Sequence, residues 1–277
     1  MTEEYIKTDD GVKLFVRVKG SGAPVLLIHG AMVDADFYDE VQELMSGSYM
    51  VITYDRRGYS RSGKGEDYCL ERQAKDAAFI LNALTDEKAI VVGCSAGAMT
   101  ALKLQELFPE KVAQLFVHEP PIVTYDGIVT DEIRSWLDDI RSHVERGKLN
   151  RAVLAFLMGM AAHNPDPRAK TLPPETMQRQ LDNGKIFVEK EFPEDFDESK
   201  PLVNYDSLKG NHRITVLVGD SSGDSYCARS ANALAEDLNA PLYYVPGGHN
   251  GARDLPFEFA ATLLGLLKIN NKENYDL

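Results

Sequence analysis

The sequence predicts an α/β protein built on a mostly parallel, doubly wound sheet with a helical insertion. Three observations predict it. Short, almost wholly apolar runs recur along the chain, helical stretches separate them, and one long segment breaks the alternation. A short apolar run suits a strand covered on both faces. Strands alternating with helices wind into a parallel sheet with helices on either side.

Taken in order, "EYIKT" and "VKLFVRVKG" flank a D-D-G turn, and the second alternates polar with apolar, which predicts an antiparallel opening hairpin. "APVLLIHG", "YMVITYDRRG" and "KAIVVG" follow as buried strands, and "VAQLFVHEPP", "HRITVLVGD" and "APLYYVPGG" complete the set. "YCLERQAKDAAFILNALT" and "YCARSANALAEDLN" are the clearest helices. A third opens at Ala96, where good helix formers begin; Leu102, Leu104 and Leu107 supply its apolar face and Pro109 closes it. From Ile122 to about Leu208 no buried strand is predicted. Helical pieces such as "DEIRSWLDDIRSHVERG" and "RAVLAFLMGMAAH" lead there into the Pro-rich "HNPDPRAKTLPPE". The expected division is therefore 1–121 and 209–277 for the sheet-bearing core and 122–208 for a helical cap over the strand ends. The acidic run "EKEFPEDFDESK" within the insertion is expected to be a solvated surface, and the polar tail "NNKENYDL" to fray.

At 277 residues the chain suits one large domain with an insertion. Its formal charge of −13 argues against nucleic acid and anionic membrane as partners and does not by itself identify the small-molecule substrate. The acidic start "MTEEYIKTDD" has no apolar core of a signal peptide, and no run approaches a membrane span. Cys69, Cys94 and Cys227 are odd in number and unclustered, as suits a reducing cytoplasm. Neither a C-x-x-C pair nor an H-E-x-x-H cluster is present, so no metal site is expected. Cys94 is expected to be a buried small hydrophobe. No internal repeat is found, and the oligomeric state is open.

Ligands of open parallel sheets bind beyond the carboxyl ends of the strands, so chemistry is sought at strand exits. "VVGCSAGA" places Ser95 between Gly93 and Gly97 at a strand-to-helix junction, the G-x-S-x-G pattern that lifts a serine hydroxyl above a sheet. His29-Gly30-Ala31 leaves "PVLLI", Glu119 leaves "AQLFVH", and His249 follows the last strand in "VPGGHNG". Serine is a weak nucleophile that needs a neighbouring base, and the base needs an acid to fix its tautomer. Ser95, Glu119 and His249 lie in the chain order nucleophile, acid, base.

With these motifs in their order, the chain resembles the α/β-hydrolases over nearly its whole length. The shared features are the histidine-glycine turn, "YDRRGYSRSG", the elbow and the late glycine-histidine. "VGCSAGA" with "VHEPP" resembles more narrowly a branch that includes the fungal zearalenone lactonase, whose acid is a glutamate at the end of strand six. The likeness is closest from Val91 to Pro121 and weak in the insertion. It implies a Ser95–His249–Glu119 triad and an oxyanion hole from the N–H groups of Ala96 and of Ala31 or Met32.

The acid remains open between Glu119, Asp220 and Asp224. Asp220 occupies the usual strand-seven loop, but Ser222 stands where Gly-Asp-x-Asp would continue; both aspartates could instead cap the helix near Tyr226. His29 is expected to support the oxyanion loop. His118 should face away from Glu119 into the core, and His143, His163 and His212 should lie at the surface. Trp136, Phe156, Leu157, Met158 and Met160 divide between a pocket wall and the insertion's own core. The expected activity is cofactor-free hydrolysis of a carboxylic ester or lactone through an acyl-enzyme. Thioester, C–C bond or perhydrolase chemistry would use the same triad, and a non-turnover ligand receptor is the alternative of another class.

Overall fold

In the computed structural model, which describes residues 1–164 and 168–273, eight strands form one sheet in the order β1-β2-β4-β3-β5-β6-β7-β8. The strands are β1 (Thr2–Lys7), β2 (Lys13–Lys19), β3 (Pro24–Ile28), β4 (Met50–Tyr54), β5 (Ala89–Cys94), β6 (Val112–His118), β7 (Ile214–Gly219) and β8 (Leu242–Val245). β1 and β2 pair antiparallel and β2 pairs antiparallel with β4, whereas every pairing from β4 through β8 is parallel. The expected opening hairpin and the parallel sheet beyond it are both present. Part of the Pro-rich stretch and the end of the polar tail lie outside the described residues.

The central strands are buried along their whole length, so their sequences carry no polar face. On one side the sheet packs against α2 (Leu70–Leu84), α3 (Ala96–Leu107) and α8 (Tyr226–Leu238). On the other it packs against α1 (Asp39–Met45) and α10 (Pro256–Glu273), with the short α9 (Gly251–Asp254) leading into the latter. Local chemistry starts the helices as their sequences require. The Ser225 hydroxyl accepts from the Ala228 N–H at the head of α8, leaving neither Asp220 nor Asp224 in the capping position.

Between β6 and β7 the described residues form α4 (Asp131–Glu145), α5 (Leu149–His163), α6 (Pro174–Ile186), a π-helical turn (Phe187–Glu191) and α7 (Phe192–Asp195). These elements share an aromatic core of Trp136, Phe156, Phe187, Phe192 and Phe196. Phe156 and Phe187 meet edge to face at 4.7 Å, and the Trp136 indole donates to the Ala155 carbonyl at 3.0 Å. Met32, Tyr59 and Tyr226 join this cluster, so the helical segment sits over the loops that leave the sheet. The acidic run departs from expectation here. The departure is confined to three positions: Glu191, 2% exposed, and Phe192 and Phe196 turn into the helical segment's core, whereas Glu189, Lys190, Ser199 and Lys200 are exposed as a solvated surface requires.

No described helix is long and apolar enough to cross a membrane.

Candidate active site

Ser95 stands between β5 and α3 with φ 56° and ψ −125°, outside the regions that L-residues ordinarily occupy. Such a backbone costs about 1–3 kcal/mol and persists only where its surroundings hold it. The surroundings are visible. The Ser95 N–H donates to the His118 carbonyl at 2.9 Å, and its own carbonyl accepts from Ala98 N–H at 2.8 Å. A Cβ on Gly93 would lie 2.3 Å from the Gly97 carbonyl oxygen, and one on Gly97 would lie 2.2 Å from that of Ile28. Only glycine at both positions lets strand and helix approach so closely.

The sheet register delivers the next residue. Cys94 pairs with His118, so Ser95 and Glu119 leave adjacent strands at the same level. Glu119 also has a positive φ, 48°, which turns its side chain out of the strand alternation. Its carboxylate is fully buried, with Oε2 2.8 Å from His249 Nδ1 and Oε1 accepting from the Gly219 N–H at 2.9 Å. Burial alone would raise the Glu119 pKa, but the His249 hydrogen bond and the fields of His118 and His249 outweigh it and hold it at about 2.

His249 follows β8 and is itself 6% exposed. Burial opposes its charged form. The neighbouring Cys227 and the Glu119 hydrogen bond oppose that burial, and the net direction is well above the usual imidazole value. Burial raises the Cys227 thiol as well, so near neutral pH it is uncharged and Glu119 is the lasting anionic influence on His249. Burial likewise pushes the Cys94 thiol up to about 12, as suits an inert packing residue.

Asp220 is placed elsewhere. Its side chain is 46% exposed, forms an ion pair with Arg168 and accepts from the Gly247 N–H at 3.1 Å. Asp224 is exposed, and its backbone carbonyl accepts from Arg229. His118 is in the core but does not turn wholly away from Glu119: Nε2 lies 3.9 Å from Glu119 Oε1 because the acid, not the histidine, leaves the regular strand geometry. Its ring stacks on His249 at 6.4 Å and meets Phe259 edge-on, and burial lowers its pKa to about 4. Of the remaining histidines, His212 is exposed, whereas His143 and His163 are half-buried and His163 packs on Trp136.

Ser95 and His249 open on one cavity of about 580 Å³. Gly30, Ala31, Met32 and Phe37 form one wall and Phe156, Leu157 and Met160 of α5 another, with Asn164, Gln180, Asn250 and Arg253 as polar points. Trp136 and Phe156 are buried in the helical core, and Met158 is 73% exposed. A neighbouring cavity of about 510 Å³ shares Met32, Val33, Phe37, Gln180 and Arg253 but does not reach Ser95 or His249. Ala96 is the first residue of α3, so its N–H has no intrahelical acceptor. Ala31 and Met32 both border the cavity; Met32 has φ 69° and its carbonyl is held by the Asn183 amide at 3.0 Å. No described group of three or more His, Cys, Asp or Glu side chains is placed to hold a metal ion.

Sequence reading missed the partnership of Arg56 with Glu191. Arg56 stood inside a quoted motif and Glu191 inside the acidic run, but 135 residues separate them and nothing local marks either as buried.

A sequence model of the alpha/beta hydrolase fold matches residues 23–142. A Bacillus subtilis (strain 168) protein described as the uncharacterized hydrolase YraK is 30% identical over 272 residues, covering 95% of each chain. A zearalenone hydrolase of Cladophialophora bantiana is 31% identical over 129 residues, 44% of this chain and 49% of that one. Among solved structures, Est816, described as an N-acyl homoserine lactone degrading enzyme, superposes with a TM-score of 0.72 at 22% identity. That match covers 95% of this chain and 99% of Est816 and speaks for the fold.

Proposed function

The chain belongs to the α/β-hydrolase family and is a hydrolase of that type, and from this premise we propose that it cleaves carboxylic esters or lactones by serine catalysis. The observation that carries the proposal is the 2.8 Å contact between Glu119 and His249 Nδ1, beside the strained Ser95 in the same cavity. In this reading Ser95 Oγ attacks the acyl carbonyl while His249 Nε2 takes its proton. Glu119 holds the Nδ1–H and so fixes the tautomer that leaves Nε2 free to accept. The N–H groups of Ala31 and Ala96 receive the oxyanion as the carbonyl becomes tetrahedral. Collapse expels the alcohol, protonated by His249, and a water activated by the same imidazole releases the acid. In a lactone the leaving alcohol stays tethered to the acyl group.

Residues 122–208 are read as a cap that selects the substrate, since α5 supplies the apolar wall opposite the oxyanion loop. A cavity of this size with a few polar points suits a medium-sized, largely apolar acyl compound. The match to a zearalenone hydrolase supports the lactone side of the proposal.

The test is covalent labelling with a fluorophosphonate followed by peptide mass spectrometry, together with turnover of p-nitrophenyl esters. The adduct is expected on Ser95, and Ser95→Ala is expected to lose up to about a million-fold in kcat while remaining folded. An adduct on Cys94 with Ser95 untouched, or undiminished turnover in Ser95→Ala, would overturn the proposal.

A further inference from the structure

Arg56 and Glu191 form an ion pair in which both residues are almost wholly buried, at 1% and 2% exposure. A buried pair of this kind gives up so much hydration that an apolar pair of similar size is often as stable or more so. Stability alone therefore does not account for it, and its other contacts become informative. Arg56 Nη1 donates to the Gly30 carbonyl, a long contact at 3.4 Å, and the Arg56 backbone N–H donates to His29 Nε2 at 3.1 Å. With Nε2 accepting, the neutral His29 ring carries its proton on Nδ1, which lies 2.9 Å from the same Gly30 carbonyl. Burial and then the Arg56 charge keep His29 neutral, with a pKa lowered to about 4.

The Gly30 carbonyl is thus gripped from two sides, and it belongs to the peptide that ends in the Ala31 N–H. In a trans peptide the C=O and N–H point in opposite directions, and no described peptide is cis. Holding the carbonyl towards Arg56 and His29 fixes the direction of the Ala31 N–H. Gly30 lies against the nucleophile, since a Cβ there would fall 3.0 Å from Ser95 Cβ, and Ala31 borders the cavity. Glu191 completes the chain of contacts from the other half of the molecule. It closes the π-helical turn Phe187–Glu191, among Phe187, Phe192 and Phe196 of the helical segment.

We propose that Arg56 and Glu191 are positioning residues for the oxyanion donor of Ala31, and that through them acyl transfer depends on the helical segment being docked. The inference rests on the serine-hydrolase reading. It is tested on the full chain with the double variant Arg56→Met/Glu191→Leu, which replaces the buried pair by apolar side chains and removes the guanidinium. Steady-state kinetics on p-nitrophenyl esters, thermal unfolding and the inhibition constant of an arylboronic acid are measured together. The boronic acid becomes tetrahedral on Ser95 and reports the oxyanion site directly. The double variant is expected to keep its unfolding midpoint and its KM. Its kcat and boronate affinity should each fall about tenfold, part of the hundredfold or more that loss of an oxyanion donor costs. Arg56→Lys keeps a buried charge pair but loses the planar fork, and kcat should fall there too; it carries the test if the double variant does not fold. Unchanged kcat and boronate affinity in a folded variant would show that the pair only anchors the helical segment. If the wild-type protein neither labels at Ser95 nor turns over esters, the serine-hydrolase reading fails first and the inference with it.

Discussion

The exits of β6 and β7 are neighbours in the sheet, and each presents a carboxylate, yet the two have opposite surroundings. Glu119 is fully buried, reaches His249 at 2.8 Å and accepts the Gly219 N–H. Asp220 is half-exposed, paired with Arg168 and tied to the Gly247 N–H. The difference originates in one backbone angle. A left-handed φ of 48° at Glu119 swings its side chain towards the histidine loop. Ser95, at the same level of the adjacent strand, also has a positive φ, so two strained residues stand side by side at the sheet's carboxyl edge. Which strand supplies a partner for His249 is thus set by the local turn and by burial, not by which loop holds an acidic residue.

Glu119→Gln removes the buried carboxylate's charge from the contact with His249. The shape is kept, the charge is lost, and kcat is expected to fall by about ten-thousand-fold, as when the buried acid of a serine protease is neutralised. The pH profile gives an independent sign. Against the opposing effect of burial, Cys227 and then the Glu119 hydrogen bond hold His249 above its ordinary value, so the acid limb of kcat/KM should lie on the alkaline side of about 6.5. Without the carboxylate, burial becomes the dominant influence on His249 and favours its neutral form. The limb of the residual activity should then move to lower pH. A limb that stays in place would mean that another group governs the imidazole.

A smaller effect is expected one residue away. His118 is held neutral by burial, and neither ring nitrogen has a hydrogen-bond partner. Its folded pKa of about 4 lies below the unfolded value, so the unfolded chain binds the extra proton between those two pH values. Stability is therefore lost as pH falls from about 6.5 towards 4, by up to about 3 kcal/mol. His118→Phe, packed against Phe259, should flatten that loss in denaturant titrations while kcat changes less than about threefold. A large fall in kcat would instead give His118 a part in the chemistry.

The smallest effect should come from Asp220→Asn. A half-exposed ion pair contributes about 1 kcal/mol or less, so stability should change by no more than that and kcat by less than about threefold. If Asp220→Asn cost more activity than Glu119→Gln, the contrast between the two strand exits would be reversed.

Much of this arrangement was legible beforehand, for reasons that can be located. Buried strands such as Pro24–Ile28 announce themselves because no residue in them faces water. The elbow at Ser95 is legible because Gly93 and Gly97 are a purely local steric requirement, expressed within five residues. His249 is legible as a histidine in a glycine-rich strand exit. For the side chains of the helical segment, composition could divide them no further than core or pocket, and the fold sends Trp136 to the core, Leu157 to the cavity wall and Met158 to solvent.

The sheet, the sharp turn at Ser95 and the short list of strand-end residues are therefore written locally in the chain, since each depends on neighbours a few positions away. Contact of His249 with Glu119 and not with Asp220 emerges from the packed fold, because it turns on one φ angle and on the packing that holds it. The packed fold alone also draws Glu191 out of an acidic run and into the interior. Whether a carboxylate is solvated or buried depends on whether a partner meets it, and the partner, Arg56, lies 135 residues away in the chain.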